Sequence, residues 1–158
     1  MPEQLTGKRP SDSATEMVQV VLPNDANPMA VMLGGAVMHL IDIAGAIAAF
    51  RHARELMVTA AVDGLEFLNP IKVGDFIVLK AHVTSTFTTS LEVEVEVFSE
   101  AVTTGERRLT SRAYLTFVAI DAAGLVPTFA VNGRLAEREP GLMALVRERG
   151  DEVIAHSW

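Results

Sequence analysis

The run GGAVMHLIDIAGAIAAF, residues 34–50, constrains the fold more than any other part of the chain. Ala, Ile, Leu, Met and Val dominate it, so it is helical by composition. Apolar residues fall on every side of such a helix, which therefore has to be surrounded rather than laid on a surface. The basic turn RHAR, 51–54, suits the end of that helix. One residue conflicts with burial: Asp42, between Ile41 and Ile43. A buried carboxylate must be paired, hydrated or protonated. Two readings follow. Asp42 is either a structural acid held by backbone donors or by a partner across an interface, or an acid facing the water of a substrate site. Gly45 and Ala46 share its helical face and leave room for a ligand or for a partner's backbone.

A membrane is an unsatisfactory cover. The run is at the short edge of spanning length and carries His39 and Asp42. A central Asp costs roughly 2.5–3.5 kcal/mol on insertion. A sheet is the better cover, because the rest of the chain reads as strands. Glu16–Leu22 alternates, and PNDANP, 23–28, is dense in turn formers. Beyond the helix, strands are expected over Met57–Asp63, Phe76–Thr86, Thr89–Ser99 and Arg108–Ile120. The third is the clearest, with Leu91, Val93, Val95 and Val97 on one face and Glu92, Glu94 and Glu96 on the other. PIKVGD (70–75), TTGE (103–106) and DAAG (121–124) are turns. Short loops imply an antiparallel sheet. The expected fold is α+β, a hotdog: an antiparallel β-sheet wrapped around a long central α-helix. One such sheet cannot cover all sides of the helix, so two protomers are expected to join.

The expected organisation is a mobile tail over 1–14, the hotdog domain over 15–126, and a helical extension over 127–158 divided by Pro140. The tail has no apolar stretch of the secretory kind. The chain has no Cys, which removes disulfides, thiolate metal sites and a Cys nucleophile, and fits a reducing, cytoplasmic setting. The net charge of −7 argues against wholesale nucleic-acid binding. No metal-ligand spacing, G-x-S-x-G, P-loop or G-x-G-x-x-G is present.

Gly34 and Gly35 open the helix. A ligand carbonyl can reach free backbone N–H groups there only if no side chain intervenes, and the helix dipole favours negative charge at that end. The competing reason for two glycines is tight packing of helix on sheet. Asn27 before Pro28 is, on its own, ordinary turn chemistry. His39 shares part of the face of Asp42 and suits a polar core or interface position.

Five ordered blocks carry a resemblance: LPNDANP, GGAVMHLIDIAGAIAAFRHA, VTAAVDGLEFLNPIKVGD, TTSLEVEVEVFSE and YLTFVAID. Together, over about residues 16–125, they resemble the hotdog-fold acyl-CoA thioesterases of the bacterial short-chain and brain acyl-CoA hydrolase type. The sequence departs from that pattern at Ala30 and Phe87, where the family carries Gly. The resemblance implies hydrolysis of acyl-CoA to free acid and CoA, with no cofactor beyond the CoA of the substrate. It makes Asp42 the general base or nucleophile and Asn27 the active-site amide. Phe67 and Pro70 would line or brace the acyl pocket, and Lys72, Thr89 and Ser90 would contact the CoA moiety. It also implies composite sites at a dimer interface, with dimers joined in threes. Two alternatives stay open: a hotdog hydratase or dehydratase using His39 with Asp42, and an acyl-CoA sensor without turnover.

Overall fold

The computed structural model describes residues 7–120, 129–132 and 153–156. Helix α2 runs Gly34–Ala53 and ends on Arg54 in the left-handed conformation (φ 56). Its buried side is Val37, Leu40, Ile41, Ala44, Gly45, Ala48 and Ala49. By length and composition the helix could cross a membrane. Instead it lies along a sheet whose strands are β1 (Thr15–Val20), β2 (Met57–Phe67), β3 (Phe76–Thr86), β4 (Ser90–Glu100) and β5 (Arg107–Ala119). The order across the sheet is β1-β3-β4-β5-β2, with every pair antiparallel. This is the expected hotdog architecture. The long connection through α2 carries the chain from one sheet edge to the other, so β1 and β2 are the two edge strands.

The period-two pattern of β4 is realised directly. Val93, Val95 and Val97 are fully buried and form the core with Ile77, Leu79, Leu115 and Phe117. The glutamates take the outer face and are cross-linked rather than merely solvated. Arg112 stands 2.9 Å from Glu96 and 3.8 Å from Glu94. The hydrogen bond to Glu96, then its charge, raises the Arg112 pKa.

As expected for a single sheet, the five strands cover one side of the helix and leave the other open: Met38 is 44% exposed and Phe50 39%. The tail expected over 1–14 is instead docked from Pro10 onward. Helix α1, Pro10–Ser13, buries Ser13, whose Oγ accepts from the Val83 amide at 3.0 Å.

Within 127–158 the described residues are strands, not helix: β6 (Phe129–Asn132) and β7 (Val153–His156), paired in parallel. FAVN and VIAH are rich in β-branched and aromatic residues, which suit strands. The helix expected over 134–150 lies outside the described residues.

Candidate active site

Leu33 leads into α2 and no side chain caps it. The leading amides of Gly34 and Gly35 therefore have no partner in the helix, at the end where the dipole is positive. A Cβ on Gly35 would meet nothing within 4 Å, so packing inside the chain does not require that glycine. A Cβ on Gly34 would meet the Phe67 ring at 3.4 Å, an ordinary contact. Gly34, Phe67 and Pro70 line one cleft of about 310 Å³, together with Val37, Ile71 and Ser111.

Asn27 is fixed in the loop ahead of the helix. Its Oδ1 accepts from the amides of Met29 at 3.0 Å and Val31 at 3.2 Å. Its own amide donates to the Val31 carbonyl at 2.9 Å. With Oδ1 committed to the loop, Nδ2 makes no hydrogen bond among the described residues. Ala30 in the same loop sits at φ 57, which explains why Gly is the usual residue there. Phe87, the other departure, has no positive φ, so its turn accepts a side chain.

Asp42 lies on the uncovered side of α2 and is exposed in the single chain. Its Oδ1 accepts a 2.6 Å hydrogen bond from Thr59 Oγ1 on β2. The bond fixes one carboxylate oxygen, and the other has no hydrogen bond among the described residues. Thr59 gives no signal in the sequence, because a Thr on a strand is ordinary β-propensity. It is identified only by its approach to Asp42. His39 makes no hydrogen bond or ion pair among the described residues.

These groups fall into two clusters. The β2–β5 register sets Phe67 opposite Ser111 and Thr59 opposite Phe117. From residue 111 to residue 117 the strand covers about 20 Å, at about 3.3 Å per residue. The cleft at the helix start is thus well separated from the Asp42–Thr59 pair. Ser90 stands at the Asp42–Thr59 level, opposite Val118, but on the face turned away from the helix. It is buried, and its Oγ finds no partner among the described residues. Thr89 beside it accepts from the Ala119 amide at 2.8 Å. Lys72 lies near the helix start, in a separate shallow cleft of about 150 Å³ shared with Pro70, Asp75, Glu106 and Arg108. One chain therefore does not bring Lys72, Thr89 and Ser90 together. Among the described residues no cluster of three or more His, Asp or Glu could hold a metal.

Fold and helix place the chain in the hotdog class, and comparison with known proteins agrees. The family model described as the thioesterase superfamily matches residues 29–106. An acyl-CoA thioester hydrolase of Bacillus subtilis, itself described as uncharacterized, is 43% identical over 104 residues, covering 66% of this chain and 60% of that protein. The chain spans still less, 33% or under, of the mammalian cytosolic acyl coenzyme A thioester hydrolases it matches. The crystal structure of an apo hexameric acyl-CoA thioesterase has a TM-score of 0.73 and 35% identity, over 90% of this chain and 96% of that one. The acyl-CoA hydrolase of Staphylococcus aureus, in complex with butyryl coenzyme A, coenzyme A and coenzyme A disulfide, has a TM-score of 0.72 and 32% identity, over 90% and 92%. The chain belongs to the acyl-CoA thioester hydrolases of the thioesterase superfamily. Single alanine variants of the Staphylococcus enzyme have also been solved, at one Asn, one Asp and one Thr. Those three residues are spaced along their chain as Asn27, Asp42 and Thr59 are spaced here.

Proposed function

We propose that this protein hydrolyses acyl-CoA to a free carboxylic acid and CoA. The observation that carries the reading is the Asp42–Thr59 contact: an acid on an otherwise apolar helix, oriented by one hydroxyl and open on the side the sheet leaves bare. The matching spacing of the substituted Asn, Asp and Thr in the Staphylococcus enzyme supports the same three residues here.

In this reading the thioester carbonyl approaches the amides of Gly34 and Gly35, which stabilise the developing oxyanion. Asn27 Nδ2 donates to that carbonyl or places the water. Asp42 takes the proton from water, or attacks first to give a mixed anhydride that water then opens. The CoA thiolate is already a good leaving group, so no further cofactor is required. Phe67 and Pro70 flank the acyl group, while Lys72, Thr89 and Ser90 meet the CoA moiety once other subunits bring them near it.

The two clusters of one chain become a site when two protomers meet. Asn27 and the helix start come from one, Asp42 and Thr59 from its partner. A trimer of such dimers is supported by the hexameric neighbour. A cytoplasmic setting follows the mammalian relatives, which are named as cytosolic. Asp42 bonds to Thr59 and not to His39, so the His–acid pair of the hydratase reading is not formed within the chain.

The test is thiol release over an acyl-CoA chain-length panel with wild type and Asp42→Asn. Turnover of the folded, assembled variant should drop at least about a hundredfold, the low end for losing a positioned base. Near-normal release would remove Asp42 from the chemistry.

A further inference from the structure

The cleft at the helix start has a mouth and a floor of different character. Gly34, Phe67 and Pro70 are exposed and form the mouth. Val37, Met32 and Ile71 are buried and apolar, and form the floor. Ser111 is the polar exception at that depth. It is 1% exposed, lines the cleft, and its Oγ has no hydrogen-bond partner among the described residues. Buried hydroxyls are ordinarily satisfied, so an unpartnered one at the bottom of a ligand-sized cleft is placed to meet a ligand.

The backbone aims this side chain. Thr110 is an extra residue in β5: Val97 pairs with Ser111, and the next pair is Phe98 with Leu109. The bulge is held by the amides of Leu68 and Asn69, which donate to the Thr110 carbonyl at 2.8 and 3.3 Å. Strand alternation then sets Ser111 on the helix side with Ala113, Leu115 and Phe117. A bulge that re-aims one side chain is a recurrent device beside binding sites.

We propose that Ser111 is a specificity-determining residue, donating a hydrogen bond to an oxygen carried by the acyl group beyond the thioester carbonyl, so that short hydroxyacyl and oxoacyl thioesters are preferred over their plain alkyl counterparts. The cleft volume lies at the small end for ligand pockets, which suits a short acyl group. The inference rests on the hydrolase reading, since it assigns the deep end of that same site.

The experiment compares kcat/KM for butyryl-, 3-hydroxybutyryl-, 3-oxobutyryl- and hexanoyl-CoA in wild type, Ser111→Ala and Ser111→Thr, with assembly checked by mass. Wild type should favour the oxygenated four-carbon substrates over butyryl-CoA. Ser111→Ala should cut that ratio about tenfold, the loss expected for one neutral hydrogen bond. Ser111→Thr should keep most of the preference. Equal losses on all four substrates, or no change in the ratio, would mean that Ser111 only packs. Absence of thiol release by wild type from every substrate would instead overturn the hydrolase reading, and this assignment with it.

Discussion

The proposal that Asn27 of one chain meets Asp42 of another can be tested without any structure of the assembly. The loop carrying Asn27 is tied down at several points. Leu33 donates to the Asp25 carbonyl at 2.8 Å, Met32 to the Ile71 carbonyl at 2.8 Å, and Asn27 to the Val31 carbonyl at 2.9 Å. The loop therefore stays ahead of the helix. Asp42 stands about 12 Å further along the helix axis, at about 1.5 Å per residue. On the proposed reading, a single thioester group touches both residues when a second chain supplies one of them. Chains carrying Asn27→Ala and chains carrying Asp42→Ala, each nearly inactive alone, are unfolded together in equal amounts and refolded. Random pairing makes about half the dimers hybrid. Each hybrid has one site with both residues and one with neither, so about a quarter of wild-type thiol release should return. If mass measurements establish the hybrids and activity stays at the parental level, the shared-site assignment is wrong. The two residues would then act within one chain, or one of them would not be catalytic.

Three further outcomes follow. Thr59→Val removes the 2.6 Å bond to the Asp42 carboxylate, and a bond to a charged group is worth about 1.5–3 kcal/mol. Turnover should fall roughly tenfold or more with KM little changed, and a variant as active as wild type would show that Asp42 needs no orienting hydroxyl. Gly35→Val should reduce turnover more than affinity for free CoA, measured by calorimetry beside the thiol assay, because a Cβ there meets nothing within 4 Å in its own chain and the added side chain stands in the approach to the helix amides. Equal losses in both measurements would return Gly35 to a packing role. Ala30→Gly should stabilise the protein, since left-handed backbone costs a non-Gly residue about 1–2 kcal/mol while extra chain entropy takes back about 0.5–1; a lower melting temperature would contradict that balance.

What could be read from the sequence was whatever depends on period and composition. The alternation of Leu91, Val93, Val95 and Val97 placed β4 to within a residue, and the Ala-rich run placed α2. Both signals are local and survive in any tertiary setting. The open side of α2, marked by Met38 and Phe50, was legible too, because one sheet cannot cover a helix that is apolar all round. What was not local was register, on which the contacts of Thr59 and Ser111 depend. Thr59 adjoins the Thr59/Ala61 register shift in β2, and Ser111 follows the bulge at Thr110. An extra residue in a strand reverses which side the following residues face, so alternation counted along the sequence loses its phase there.

The seat of α2 on the sheet has a consequence for how this protein can change. Ala44, Gly45, Ala48 and Ala49 are the residues between the helix and the strands, and a Cβ on Gly45 would come within 3.2 Å of the Phe117 ring. Side-chain volume at these positions therefore sets the height of the helix above the sheet. Added methyl groups would work like shims under a beam. Each would lift the stretch carrying Asp42 away from the edge strand carrying Thr59, and a bond of 2.6 Å has little slack. Drift at these small residues, none of them touching a reacting atom, would then read out as a fault in the chemistry. The tolerance of the Asp42–Thr59 contact is machined into the alanines beneath it.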